Sequence, residues 1–78
     1  MPYDANITEE LNLLSRYNLK TTLEGVKIHS SAEPHVIAAA QRLHDKGLTS
    51  QTDGGYLTEL GRQAAQHAQD LLLIMANR

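Results

Sequence analysis

The stretch LHDKGLTSQTDGGYLTELGR, residues 43–62, decides the fold of this 78-residue chain. Gly47 follows an apolar helical pattern, and a glycine directly after a helix favours the left-handed cap that ends it. Asp53-Gly54 is the strongest short-range signal for a tight hairpin, because glycine adopts positive φ without strain. Thr58 is a good N-cap residue for a final helix. The stretch therefore predicts a helix, a β-hairpin and another helix in direct succession.

A first helix and a short strand are predicted before the helix that ends at Gly47. Apolar residues recur at helical spacing from about Ile7 to Tyr17, which predicts a first helix there. Asn6 is expected to be its N-cap, and Glu9 three residues later would complete a capping box. Apolar and polar residues then alternate in VKIH, residues 26–29, and this alternation predicts a short edge strand.

The second helix is predicted to follow a serine cap, either Ser30 or Ser31, with Pro34 in its first turn, where the missing N–H is not needed. Its inward face is expected to consist of Val36, Ile37, Ala40 and Leu43. The opposite face is expected to point to solvent or to a partner, and it consists of His35, Ala38, Ala39, Gln41, Arg42, Asp45 and Lys46. The sequence thus predicts one exposed helix face that is available for recognition.

The final helix carries a seven-residue pattern that is typical of helix–helix packing. One series consists of Leu57, Ala64 and Leu71, and its companion series consists of Leu60, His67 and Ile74. Gly61 weakens a helix interior by about 1 kcal/mol relative to alanine. Its presence predicts that the helix backbone closely approaches the hairpin or the second helix.

Residues 71–75, LLLIM, are apolar on nearly every side of that helix. They either close the core against the first helix or pair with a second copy or another protein, since a soluble monomer rarely exposes a large apolar patch. In the second case the sequence predicts a dimer interface that consists of Ala64, His67, Ala68, Leu71, Ile74 and Met75.

The composition predicts a single domain over residues 1–78 with an aliphatic core, because the chain has no Phe, no Trp and only three Tyr. The absence of cysteine excludes disulfides, thiolate nucleophiles and cysteine-based zinc sites. The N-terminus lacks the basic start and apolar run of a signal peptide, and no stretch is apolar enough to span a bilayer. We therefore expect a cytoplasmic protein that does not contact the membrane.

No pattern in the chain is typical of catalysis. The four histidines, His29, His35, His44 and His67, form no metal-binding pair on one helix face. The serines lack a Gly-x-Ser-x-Gly turn, and Gly54-Gly55 is not followed by the Lys-Ser or Lys-Thr of a phosphate-binding loop. The sequence predicts that the protein is not an enzyme and uses no metal, no cofactor and no small-molecule substrate.

The second helix is the candidate for reading the major groove of DNA. The residues expected to contact DNA are His35, Ala39, Arg42 and Lys46. The net charge of −2 and the acidic Asp53 at the hairpin tip are, however, unlike a surface that binds phosphate. A charged face that contacts only solvent is therefore an equal alternative.

Residues 43–62 resemble the closing half of MarR-type winged-helix repressors. The recognition helix of that family ends in Leu-x-x-Lys-Gly-Leu, which here reads Leu43-His44-Asp45-Lys46-Gly47-Leu48, and its wing leads into Leu-Thr-x-x-Gly, which here reads Leu57-Thr58-Glu59-Leu60-Gly61. The wing motif Asp-x-Arg reads Asp53-Gly54-Gly55, so the arginine is missing, and the room before Glu33 is too short for a full preceding helix-turn. The resemblance implies a mainly α fold with a small β-hairpin, winged helix-turn-helix-like, with three helices and a two- or three-stranded sheet.

Over essentially its whole length the chain is also similar to a family of short uncharacterised proteins of gamma-proteobacteria, and the residues that carry this resemblance run from Glu24-Gly25-Val26 to Tyr56-Leu57-Thr58. Some members are labelled as related to inhibitors of DNA-binding proteins. This resemblance implies one domain and no established activity. Two functions stay open: a regulatory module, acting in transcription regulation, that binds DNA or a DNA-bound partner, and a homodimeric protein-interaction module that uses the apolar final helix and binds no nucleic acid.

Overall fold

Three helices and three short strands make up the fold, in a computed structural model that describes residues 3–21 and 23–76. In chain order they are α1 (Ala5–Leu14), β1 (Val26–Lys27), α2 (Pro34–Asp45), β2 (Thr49–Gln51), β3 (Gly54–Leu57) and α3 (Glu59–Ala76). The strands form one antiparallel sheet in the order β1-β3-β2. The prediction of a mainly helical, winged-helix-like arrangement with a small sheet is confirmed.

Helix α1 begins and ends earlier than predicted. Asp4 is its N-cap, because the Asp4 carboxylate accepts a hydrogen bond from the Ile7 N–H at 2.8 Å. A cap side chain reaches the amide three residues ahead, and Asp4 offers a carboxylate at that spacing. The predicted capping box of Asn6 and Glu9 is therefore wrong. The helix ends at Leu14 rather than at Tyr17.

Helix α2 begins at Pro34, as the first-turn proline predicts, but its serine cap is absent. Glu33 occupies the N-cap position and makes no capping hydrogen bond with its side chain. Ser30 and Ser31 lie in a separate turn, in which the Ala32 N–H donates to the His29 carbonyl at 3.0 Å. That turn places both serines too far from the helix start, so the predicted serine cap is wrong.

The end of α2 has the left-handed glycine that the sequence predicts. Gly47 has a φ of +79°. Its N–H donates to the His44 carbonyl at 2.9 Å, and the Leu48 N–H donates to the Leu43 carbonyl at 3.0 Å. These two bonds form a Schellman motif, which satisfies the last carbonyl groups of the helix and turns the chain into β2.

The hairpin of β2 and β3 confirms the prediction from the Asp-Gly pair. Gly54 and Gly55 have φ angles of +111° and +77°. β1 is the predicted edge strand, since it pairs only with β3, and the Ile28 N–H extends that pairing by donating to the Asp53 carbonyl at 2.8 Å. The hairpin and β1 together form the sheet that covers one side of α2.

The core lies between the three helices and Ile28, and much of it is made of small residues. Its buried members are Leu13, Leu14, Ile28, Ala39, Ala40, Leu43, Ala65 and Ala68. Tyr17 is also buried, and with no Phe or Trp in the chain, alanines on α2 and α3 let the helices approach closely. Among the described residues, no helix has the length and apolar character that a bilayer crossing requires.

The start of α3 is held against the end of α2 and the start of β2. The Gly61 N–H donates to the Thr58 hydroxyl at 3.0 Å, which confirms Thr58 as the cap. The same hydroxyl donates to the Gly47 carbonyl at 2.7 Å. A Cβ on Gly61 would collide with the carbonyl group of Leu48, so the predicted close approach at Gly61 is confirmed.

Candidate interaction surfaces

Helix α2 is rotated about its axis relative to the predicted orientation. Ala39, which was expected to face outwards, is completely buried, and Ile37, which was expected to face the core, is 36% exposed. The cause is α1, which packs against the side of α2 that carries Ala39. The four residues expected to contact DNA lie on or beside this covered side, and they are His35, Ala39, Arg42 and Lys46.

A buried carboxylate on α1 binds both cations of this set. The Arg42 Nε donates to Glu10 Oε2 at 2.9 Å, and the Lys46 ammonium binds the other oxygen of the same carboxylate. The Arg42 guanidinium also donates to the Asn6 carbonyl at 3.2 Å. The Glu10 side chain is only 6% exposed. Arg42 and Lys46 were expected to point to solvent or to a partner, and the structure instead places them in an ion-pair cluster between α1 and α2.

The charge of Glu10 is stabilised by this cluster. Burial by itself raises the pKa of Glu10, but the hydrogen bonds and charges of Lys46 and Arg42 outweigh it and hold the pKa below its ordinary value of 4.5. Glu10 is therefore ionised at neutral pH. The cluster ties the two helices together electrostatically and leaves no unpaired buried charge between them.

Other groups near the predicted DNA face are also paired within the chain. His35 lies 3.6 Å from a Glu9 carboxylate oxygen and 3.3 Å from a Glu33 carboxylate oxygen. At the hairpin tip, the Lys27 ammonium binds the Asp53 carboxylate, and this hydrogen bond lowers the pKa of Asp53. Carboxylates thus lie beside each of these basic groups, which reduces the positive potential available to an external phosphate.

Arg62 of α3 has a structural role as well. Its guanidinium donates to the Leu19 carbonyl at 2.7 Å and to the Thr21 carbonyl at 3.4 Å. On the next turns of α3, the Gln69 amide donates to the Leu14 carbonyl at 3.1 Å and to the Tyr17 carbonyl at 2.8 Å. These bonds fix the chain that follows α1 onto α3.

One residue of the predicted dimer interface belongs to the core instead. Ala68 is buried with Gly61 and Ala65 on the face of α3 that packs on the domain, so its assignment to the interface is wrong. Ala68 follows His67 directly, so its side chain points about 100° further round the helix, towards the side that faces the core. The remaining predicted positions are half-buried or exposed, and they are Ala64, His67, Leu71, Ile74 and Met75.

The end of α3 exposes an uninterrupted apolar segment, which we name the α3 tip and define as Leu71 to Met75. Its five side chains are between 51% and 70% exposed. Beside it, an apolar groove of about 180 Å³ runs between α1 and α3, with Leu11 and Leu72 among its lining residues. Neither α1 nor the sheet covers the tip, so the first of the two alternatives for residues 71–75, closure of the chain's own core, accounts for only a part of this surface.

The sequence analysis assigned no role to Glu10, although the position of Glu10 on α1 indicates that it is buried. Glu10 lies three, four and seven residues before Leu13, Leu14 and Tyr17, which places it on the apolar face of α1. An acidic side chain on a core-facing stripe requires a cationic partner, because an unpaired buried charge is strongly unfavourable. The partner could not be chosen from the sequence, since that choice depends on which side of α2 faces α1.

Within residues 3–21 and 23–76, no group of three or more His, Asp or Glu side chains could hold a metal ion. Neither a curated protein nor a solved structure shows significant similarity to the chain. A protein family does match, over residues 1–76, and its description is "Family of unknown function (DUF5669)". Because this match covers almost the whole sequence, the chain belongs to the family of unknown function DUF5669.

Proposed function

We propose that this protein is a non-enzymatic interaction module that forms a homodimer through the α3 tip. The observation that carries the proposal is the exposure of five consecutive apolar side chains, each more than half accessible, at the end of a well-formed helix. Contiguous exposed apolar surface of this kind marks protein interaction sites in soluble proteins. The tip contains no charged residue, so its partner surface must be apolar too.

A second copy of the chain meets that requirement directly. Both copies present the same apolar patch, and twofold symmetric dimers are the commonest soluble assemblies. Burial of the exposed half of one tip side chain contributes about 1 kcal/mol, and because the five point to different sides of the helix, the two or three that face a partner contribute about 5 kcal/mol over both copies. This is similar to the roughly 4–15 kcal/mol that association costs in lost freedom of motion. The α3 tip alone therefore supports a weak dimer, which additional contacts would strengthen.

The rival proposal is a regulatory module that binds DNA, or a DNA-bound partner, through α2 and the hairpin. The winged-helix-like fold and the resemblance of residues 43–62 to MarR-type repressors favour it. The charges favour the interaction module instead. Arg42 and Lys46 are held by Glu10, Lys27 is held by Asp53, and the net charge of the chain is −2. Binding of phosphate would have to compete with each of these pairs.

Sedimentation velocity tests the proposed dimer. We expect the unmodified chain to sediment with about twice the 8.6 kDa mass of one copy at high micromolar concentration. Ile74→Lys should weaken the dimer about 100-fold, because each of two buried sites loses about 1.4 kcal/mol. Leu23→Lys is the matched control, since Leu23 is 83% exposed and lies outside α3. An unmodified chain that stays monomeric, or equal weakening by both variants, would contradict the proposal.

Fluorescence anisotropy with labelled genomic DNA fragments separates the two proposals. We expect no binding at low salt, where a phosphate-contacting surface would bind most tightly. The rival predicts an affinity that falls steeply with salt and is lost in Arg42→Ala and Lys46→Ala. Arg16→Ala serves as the control for general charge effects, because Arg16 is exposed and lies outside α2. Circular dichroism of each variant verifies that the domain is still folded.

A further inference from the structure

The tip of the hairpin places an aspartate directly before a glycine, at Asp53-Gly54. The Asp53 side chain is 36% exposed, and its carboxylate binds the Lys27 ammonium of β1. Neither side chain belongs to the core, and neither lies on α3. The α3 tip, which forms the proposed dimer, therefore gives this ion pair no role.

An aspartate in this position reacts with its own main chain. The Gly54 amide nitrogen attacks Cγ of the neutral Asp53 carboxyl group, whose hydroxyl leaves as water together with the amide proton, and a five-membered succinimide ring remains. Water then opens the ring at one of its two carbonyl carbons. Opening at Cγ restores the aspartate, whereas opening at the main-chain carbonyl leaves Gly54 bonded to Cγ, which is an isoaspartate linkage.

We propose that Asp53-Gly54 is a site of spontaneous isomerisation and that the ion pair with Lys27 protects it. The lability of the site comes from Gly54, because a residue without a Cβ leaves its amide nitrogen open to attack. The exposure of the Asp53 side chain gives water access to the ring. The proposal is independent of the homodimer, since the residues that carry it lie in the sheet and the hairpin tip.

Lys27 protects the site in two ways. The attack requires the neutral carboxyl group, because an ionised carboxylate has no hydroxyl that leaves as water. The hydrogen bond from Lys27 lowers the pKa of Asp53 and so keeps the group ionised. The same bond restricts the rotation of the Asp53 side chain, which must turn towards the Gly54 nitrogen before the ring closes.

Isomerisation at this position would damage the sheet. The Asp53 carbonyl accepts a hydrogen bond from the Ile28 N–H at 2.8 Å, and this bond joins the end of β1 to the hairpin. In the isoaspartate form the main chain continues through Cγ, so that carbonyl no longer belongs to it. Ile28 is a buried core residue. We therefore expect the isomerised protein to melt about 4–8 °C below the unmodified protein, as for the loss of one hydrogen bond.

Tryptic mapping after prolonged warm incubation at neutral pH measures the reaction. Cleavage after Lys46 and Arg62 releases residues 47–62, in which Asp53 is the only aspartate and no asparagine occurs. A second chromatographic peak of the same mass therefore reports isomerisation at Asp53. In water enriched in heavy oxygen, each isomerised peptide also gains one labelled oxygen atom, because the ring is opened by water.

Substitutions of Lys27 test its protective role. We expect Lys27→Gln to isomerise about tenfold faster than the unmodified protein, because more of the Asp53 carboxyl is then neutral and its side chain rotates freely. Lys27→Arg keeps the charge and should isomerise as slowly as the unmodified protein. Lys20→Gln is the matched control, since it makes the same change at an exposed lysine outside the sheet. Urea denaturation verifies that the variants are equally stable, so that unfolding does not cause the difference.

Two results would overturn the proposal. Equal rates in Lys27→Gln and Lys20→Gln would show that Lys27 does not protect the site. Absence of the isomer in every protein, including the unmodified chain incubated in urea, would show that Asp53-Gly54 is not labile. Neither result bears on the proposed dimer, which sedimentation of the unmodified chain tests separately.

Discussion

Gly61→Ala is expected to destabilise the domain by about 3 kcal/mol, which corresponds to a fall in melting temperature of roughly 15 °C for a chain of this size. The reason is steric: the new Cβ would lie 2.8 Å from the carbonyl carbon of Leu48 and closer still to its oxygen. Leu48 is fixed in turn, because its carbonyl accepts from the Thr58 N–H at 3.1 Å. Thermal denaturation followed by circular dichroism measures the effect.

Gly47→Ala provides the control for this prediction. Gly47 has a positive φ, but a Cβ at this position would meet no atom within 4 Å. Its replacement should cost only about 1–2 kcal/mol of backbone strain. If Gly61→Ala were instead as stable as the unmodified domain, or more stable as helix propensity alone predicts, the close contact of α3 with Leu48 would be refuted.

Glu10→Gln is expected to destabilise the domain by about 2 kcal/mol at neutral pH, because two cations lose their partner. The loss is smaller than that of a fully buried ion pair, since the side chains of Arg42 and Lys46 are 29% and 47% exposed. Urea denaturation at pH 7 measures it. Asp45→Asn is the control, because it removes the same charge from an exposed position on α2 and should have almost no effect.

The effect of Glu10→Gln should also depend on pH. The pKa of Glu10 in the folded state lies below its ordinary value of 4.5. A carboxyl group of this kind stabilises the fold fully above its unfolded pKa, and the stabilisation is lost as the pH falls through the folded pKa. The difference in unfolding free energy between the two proteins should therefore be constant from pH 6 to 8 and disappear in acid. A difference that grew in acid would contradict this assignment.

Features that depend on residues close together along the chain were predictable from the sequence. The left-handed Gly47 and the hairpin at Asp53-Gly54 follow from the positive φ that glycine adopts readily, and the close approach at Gly61 follows from its missing Cβ. Capping residues were less certain, because several candidates stand close together. Asp4 caps α1 two residues before the predicted Asn6, and both are good cap residues whose competition depends on where the chain enters the helix.

The orientation of α2 could not be predicted from the sequence. For the same reason, the residues expected to contact DNA could not be seen to lie on the side that α1 covers. Alanine is found both in cores and on surfaces, so the pattern of α2 does not decide whether Ala39 faces the solvent. Packing of α1 decides it, and the same packing brings Glu10 to Arg42 and Lys46. The exposed apolar residues at the end of α3 were more visible in the sequence, because their pattern is independent of neighbouring elements. The structure separates two predicted interface residues from them, since Ala68 is buried and Ala64 packs partly against the core.

Methyl resonances in a concentration series test most directly whether the domain recognises a partner through α3 rather than α2. With labelled isoleucine, leucine and methionine methyl groups, spectra are compared from micromolar to millimolar protein. We expect the resonances of Leu71, Ile74 and Met75 to shift with concentration while that of the partly exposed Ile37 on α2 stays constant. Resonances that do not change at any concentration, or shifts confined to Ile37, would contradict the account.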